Sequence, residues 1–165
     1  MGLKQEGDEI DRSNQTYQTI LDNNTIRGDM VNIVQSIQEG TTKSVSDGSF
    51  VDKEGVGSAG WIIEGSVKGN QLQGQNETPE SMESQCSLRS EMWGILGIVM
   101  SVNALCEEYH ITQGSISAKF NGKGTINVLQ QMHSITKNSH KHFDIILALQ
   151  TAIKQSLLKW TFIHL

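Results

Sequence analysis

At 165 residues with a formal net charge of −5, the chain is long enough for one domain with a real core. Its charge excludes binding nucleic acid by bulk electrostatics alone. The two cysteines, Cys86 and Cys106, lack the spacing and co-ligands of a zinc site or a disulfide framework, so both are expected to be reduced in an intracellular protein, cytoplasmic or nuclear. No apolar run approaches the ~18–20 residues of a membrane span, and the opening MGLKQEGDEI lacks the cationic-then-apolar pattern of a secretory signal. Glu6 stands where an N-myristoylation signal needs Ser or Thr.

Residues 1–42 carry seven acids against three bases, a net of −4, and are rich in Asn, Gln, Thr and Asp. They read as a polar acidic tail, largely irregular, with one short helix over Asp29–Gln38, where Met30, Val31, Val34 and Ile37 recur at near-helical spacing. The domain proper is expected over residues 43–165. It opens with a hairpin: a strand at Ser44–Val51, a turn at Asp52–Gly55, and a second strand at Val56–Glu64. Asp47 is out of place inside the first strand, where Asp is disfavoured, and alternation puts it on the face of Val45 and Ser49. It reads either as a local turn-former with the Gly48 backbone or as a carboxylate held on a rigid sheet for a metal ion.

A third strand is expected at Ser66–Gln73, then a polar loop, Gly74–Ser84, with the single proline. From Leu88 to Leu105 the apolar residues are too dense for a surface helix, so this helix is buried on both sides. Gly94 and Gly97 within it each cost about 1 kcal/mol against Ala and mark points of close approach. Glu91 shares the face of Leu88, Ile95 and Ile98. A carboxylate there needs a partner: an ion pair with Lys43 or Arg89, the helix dipole, or a cation shared with Asp47.

Ile116, Ala118 and Phe120 alternate with polar residues as a strand. An amphipathic helix follows at Thr125–Met132, then a second at Lys141–Leu158 with Asp144 in its first turn, then a closing strand at Lys159–Leu165. The order from residue 43, β-β-β-α-β-α-α-β, implies an α/β fold: a mixed sheet with antiparallel hairpin strands first, then strands reached by helical crossovers.

The segments SDGSF (Ser46–Phe50), SAGWII (Ser58–Ile63), RSEMWGILGI (Arg89–Ile98), FNGKGTI (Phe120–Ile126), HFDIILALQTAI (His142–Ile153) and WTFIHL (Trp160–Leu165) occur in one order at consistent spacings. Together they resemble the ribonuclease H domain attached to reverse transcriptases of retroelements, over about residues 43–165. The resemblance implies a ribonuclease H-like fold and hydrolysis of the RNA strand of RNA–DNA hybrids. Four carboxylates there hold two Mg²⁺ ions, one activating water and one stabilising the leaving oxygen. Asp47 matches the first-strand Asp and Glu91 the acid of the first long helix. Asn121 stands where the family has a third acid, and the fourth acid falls beyond Leu165. The resemblance therefore implies a degenerate, C-terminally truncated site that binds Mg²⁺ or Mn²⁺ weakly and is impaired or inactive. The other reading on the same fold is a non-catalytic nucleic-acid-binding or protein-interaction module. Partners implied are an RNA–DNA hybrid or other nucleic acid and further domains of a reverse-transcriptase polyprotein, with no membrane.

Between Tyr109 and Phe143 there is no acidic residue, while Lys119, Lys123, Lys137 and Lys141 are present. This stretch reads either as a track for a phosphate backbone, helped by backbone N–H groups at Gly122–Gly124, or as an ordinary solvated surface.

Overall fold

The computed structural model describes residues 18–78, 86–132 and 142–165. In the hairpin, β2 (Lys43–Val51) and β3 (Val56–Glu64) pair antiparallel from Lys43↔Glu64 to Val51↔Val56. The DKEG stretch makes the turn, with the N–H groups of Glu54 and Gly55 returning to the Val51 carbonyl. The next strand, β4 (Gln71–Glu77), begins five residues later than the sequence suggests. Residues 66–70 instead form a turn, closed by Gly65 N–H on the Asn70 carbonyl and Asn70 N–H on the Val67 carbonyl. The Gln- and Asn-rich β4 has little β propensity of its own. It is held between β3 and a strand within the stretch expected to be largely irregular, β1 (Asn24–Arg27).

That strand corrects the picture of an irregular stretch before residue 43. After β1 comes α1 (Met30–Glu39), close to the helix expected at Asp29–Gln38. Asp29 caps its start by accepting from Val31 N–H at 2.9 Å, and Gly40, in the left-handed region at φ 73°, ends it. Ile33 and Ile37 are fully buried in the main core, so residues 24–39 belong to the folded unit.

The long helix is α2 (Ser87–Glu108), followed by β5 (Ser115–Phe120), α3 (Lys123–Gln131), α4 (Phe143–Gln155) and β6 (Lys159–His164). The six strands form one sheet in the order β1-β4-β3-β2-β5-β6, with β2, β5 and β6 mutually parallel. This is the expected mixed sheet, extended by β1.

α2 lies across β2 and β3, and α4 packs on α2. The inward residues of β2, Ser44 and Ser46, are small because the helix sits almost on the strand. A Cβ on Gly94 would stand 3.0 Å from the Ser46 Cβ, and one on Gly97 would penetrate the Trp61 ring. The close approach expected at these two glycines is thus filled by named side chains. The Trp61 ring N–H donates to Asn24 at 3.0 Å, and Asn24 in turn donates to Ser101, so the sheet end and the helix are stitched through β1. The opposite face of the sheet, carrying Val45, Asp47, Ile62 and Ile163, is open among the described residues. Among the same residues no helix is long and apolar enough to cross a membrane.

Candidate metal centre

Asp47 sits within β2 on the open face, exposed, opposite Gly60 of β3, which has no side chain to cover it. It has no side-chain partner among the described residues, so the turn-forming reading with Gly48 is not what is seen. It lines an open trough of about 1020 Å³, together with Ser49, Ser58, Gln73, Gln75 and Arg27.

Gly48 brings the second acid to it. A Cβ at this position would lie 2.5 Å from the Glu91 nitrogen and from the Ser90 carbonyl carbon. With no side chain at residue 48, the first turns of α2 rest directly on β2, and Glu91 comes within electrostatic reach of Asp47. Burial, and secondly the Asp47 charge, push the Glu91 carboxyl above the usual carboxylate range, while the Gly122 N–H and His164 pull the other way. Neither cation offered by the sequence pairs with Glu91. One oxygen, Oε2, is buried with no hydrogen-bond partner. An ionised carboxylate left this way is costly, and native proteins rarely leave one without a ligand or water.

Asn121 follows β5 directly and is exposed. The parallel register pairs Val45 with Lys119, and the same offset two residues further puts Asn121 level with Asp47. Asp47, Glu91 and Asn121 therefore gather where β2 runs past the carboxyl end of β5, the edge at which open α/β sheets receive ligands. Lys119 lies on the open face of β5, half-buried, and Lys123 is exposed at the start of α3. Lys137 and Lys141 lie outside the described residues.

Arg89 takes a different partner. Its guanidinium, 1 % exposed, donates twice to Asp144 of α4, at 2.9 and 2.5 Å. Asp144, which the sequence places in the first turn of its helix, is exposed but packs its carboxylate on the guanidinium. Burial acts to raise its pKa, but the hydrogen bonds and charge of Arg89 outweigh that and hold the carboxyl below its ordinary value. Buried His142 lies beside the same guanidinium, 3.4 Å from Nη1, and Cys86 Sγ is 3.2 Å from the other ring nitrogen.

Two residues of the site escape the sequence reading. His164, at the end of β6, pairs in register with Phe120 and meets its ring edge-on at 5.9 Å, and its Nε2 is buried without a partner. Alternation in WTFIHL puts His164 on the inward face with Trp160 and Phe162, which is the signal that marks it. Thr125, fully buried in the first turn of α3, has a partnerless Oγ1.

Among the described residues no three His, Cys, Asp or Glu stand close enough to hold a metal ion by themselves. Two carboxylates, one with a buried orphan oxygen, do fit a single hard dication that keeps most of its water. They do not supply acids for a second ion.

The sheet order, the hairpin start and the long helix across β2 and β3 define a ribonuclease H-like fold. No family profile and no curated protein sequence matches the chain. Among solved structures it is similar to RNase H1 of the halophilic archaeon Halobacterium salinarum NRC-1: 12 % identity over 75 % of this chain and 84 % of that one, TM-score 0.51. It is likewise similar to LC11-RNase H1, solved in complex with an RNA/DNA hybrid, at 14 % identity over the same shares and a TM-score of 0.56. LC9-RNase H1, a type 1 RNase H with the type 2 active-site motif, aligns at 11 % identity over 74 % of this chain and 62 % of that one, TM-score 0.53. At such identities the likeness is one of fold.

Proposed function

We propose that this chain is a ribonuclease H-like nucleic-acid domain that holds one divalent cation, Mg²⁺ or Mn²⁺, between Asp47 and Glu91. We further propose that it cleaves the RNA strand of RNA–DNA hybrids slowly. The buried, partnerless Glu91 oxygen beside Asp47 carries this reading, because a carboxylate so placed and still ionised is relieved by a cation or ordered water. The solved complex of LC11-RNase H1 with a hybrid supports the substrate class.

A bound dication supplies Lewis acidity and charge neutralisation at a phosphodiester. Asp47 presents its carboxylate on the open face, and Glu91 offers its own from the helix side, held by the Gly122 N–H. Asn121 brings a neutral amide to the position level with Asp47, so the site lacks a charge there. Each 1.36 kcal/mol lost from the transition state is tenfold in rate, and the reduced activity follows from that missing charge. Lys119 and Lys123 flank the site and take backbone phosphates. The order of matching segments supports descent from a reverse-transcriptase-associated domain of a retroelement.

The neutral Asn121 also favours a second reading, a module that binds nucleic acid without cutting it. Cleavage of a labelled RNA–DNA hybrid with Mg²⁺ or Mn²⁺ separates the two. Slow cleavage lost in Asp47→Asn is the expected result. Hybrid binding that is insensitive to either cation, with no cleavage from folded protein, leaves the binding module. Cleavage at the rate of an intact four-acid enzyme removes the impairment.

A further inference from the structure

Three of the buried polar atoms without a partner belong to one corner of the molecule: Glu91 Oε2 on α2, Thr125 Oγ1 on α3 and His164 Nε2 on β6. Gly122 joins the first two. A Cβ built on it would stand 2.9 Å from the Glu91 carboxyl carbon and 3.0 Å from Thr125 Oγ1, so carboxylate and hydroxyl face the space that the missing side chain leaves. His164 reaches the same carboxylate electrostatically, from the strand paired with Phe120. Buried polar atoms are nearly always satisfied, and a partnerless hydroxyl and ring nitrogen beside a carboxylate oxygen that lacks a donor call for a shared partner that donates to the carboxylate. Water on a hard dication is such a donor, since its oxygen lone pair faces the metal and its protons point outward.

We propose that Thr125 and His164 are positioning residues that hold the bound water of the cation at Asp47 and Glu91, an inference that rests on the cation reading above. Both side chains act through water, consistent with no third His or acid standing at ligand distance among the described residues. Gly122 is required because any side chain there would occupy the volume this water takes.

The test is titration of the full chain with Mn²⁺ alone by calorimetry, with melting in EDTA as the control for folding. Thr125→Val and His164→Phe are each expected to weaken Mn²⁺ binding about tenfold, the lower end of what loss of an outer partner costs a metal site. Thr125→Ser should restore it, and Gly122→Ala should weaken it at least as much as Thr125→Val. In EDTA, Thr125→Val should melt no lower than wild type, because it removes an unsatisfied buried hydroxyl. A role in packing alone would give the opposite pair of results. If wild type binds Mn²⁺ and Asp47→Asn does not, yet Thr125→Val and His164→Phe bind as tightly as wild type, the inference about water fails while the cation site stands. If wild type binds no Mn²⁺, the cation reading fails and takes this inference with it.

Discussion

Arg89 and Glu91 stand two residues apart on α2, and the protein treats their charges in opposite ways. Arg89 is buried against α4 and matched by a two-pronged contact with Asp144, with His142 alongside. Glu91 faces the carboxyl end of β5, next to another acid, with one oxygen unmatched. The first arrangement fastens two helices. The second stores an electrostatic cost that a ligand can relieve. One helix carries both because its sides meet different neighbours, and the difference separates a structural charge from a functional one better than burial alone does.

Removing the match on the Arg89 side should have the largest effect. Asp144→Ala leaves a buried guanidinium without its two-pronged partner and should cost about 2 kcal/mol in urea unfolding at neutral pH, below the figure for a wholly buried pair because Asp144 is 52 % exposed. A loss within 0.5 kcal/mol, the usual range for surface changes, would show that the pair is not a fastening. On the Glu91 side, Asn121→Asp adds a charge at the level of Asp47 and should tighten Mn²⁺ binding about tenfold, with a matching gain in hybrid cleavage. Unchanged Mn²⁺ affinity would place residue 121 outside the site.

Glu91→Gln should stabilise the cation-free protein by about 1 kcal/mol while abolishing the rise in melting temperature that Mn²⁺ produces in wild type. A destabilised variant would mean that the charge is already compensated. The two carboxylates also predict opposite responses to pH. The folded Asp144 carboxyl titrates below its ordinary 3.8, so its contribution is present above that value and is lost as pH falls through the folded pKa. The folded Glu91 carboxyl titrates above its ordinary 4.5, so the folded state holds the proton more tightly. Its contribution is full below 4.5 and is lost as pH rises from there through the folded pKa. Melting in EDTA across pH 3 to 7 should therefore lose the low-pH decline attributable to Asp144 in Asp144→Ala, and the decline above about 4.5 in Glu91→Gln.

The hairpin, the buried helix, β5 and the last strand were legible from residue 43 onward because their signals are local: alternation, a turn with Gly, and apolar density beyond one helix face. Asp47 and Glu91 stood out for the same reason, each being an acid where its element disfavours one. β1 was not legible, since four polar-flanked residues become a strand only by pairing with β4, some 45 residues further along the chain. β4 itself was misplaced because its Gln-rich sequence carries no strand signal without neighbours on both sides.

What the sequence determined by itself was the order of elements from residue 43 onward and the identity of the two odd acids, through propensity and periodicity. Only the tertiary structure decided which charges would be matched. Gly48 lets α2 close on β2 and Gly122 lets the start of α3 close on α2, setting Glu91 beside Asp47, Thr125 and His164, while α4 carries Asp144 to Arg89. Those outcomes depend on distances between segments far apart in the chain, and electrostatic cost depends on distance and burial, which no local pattern encodes.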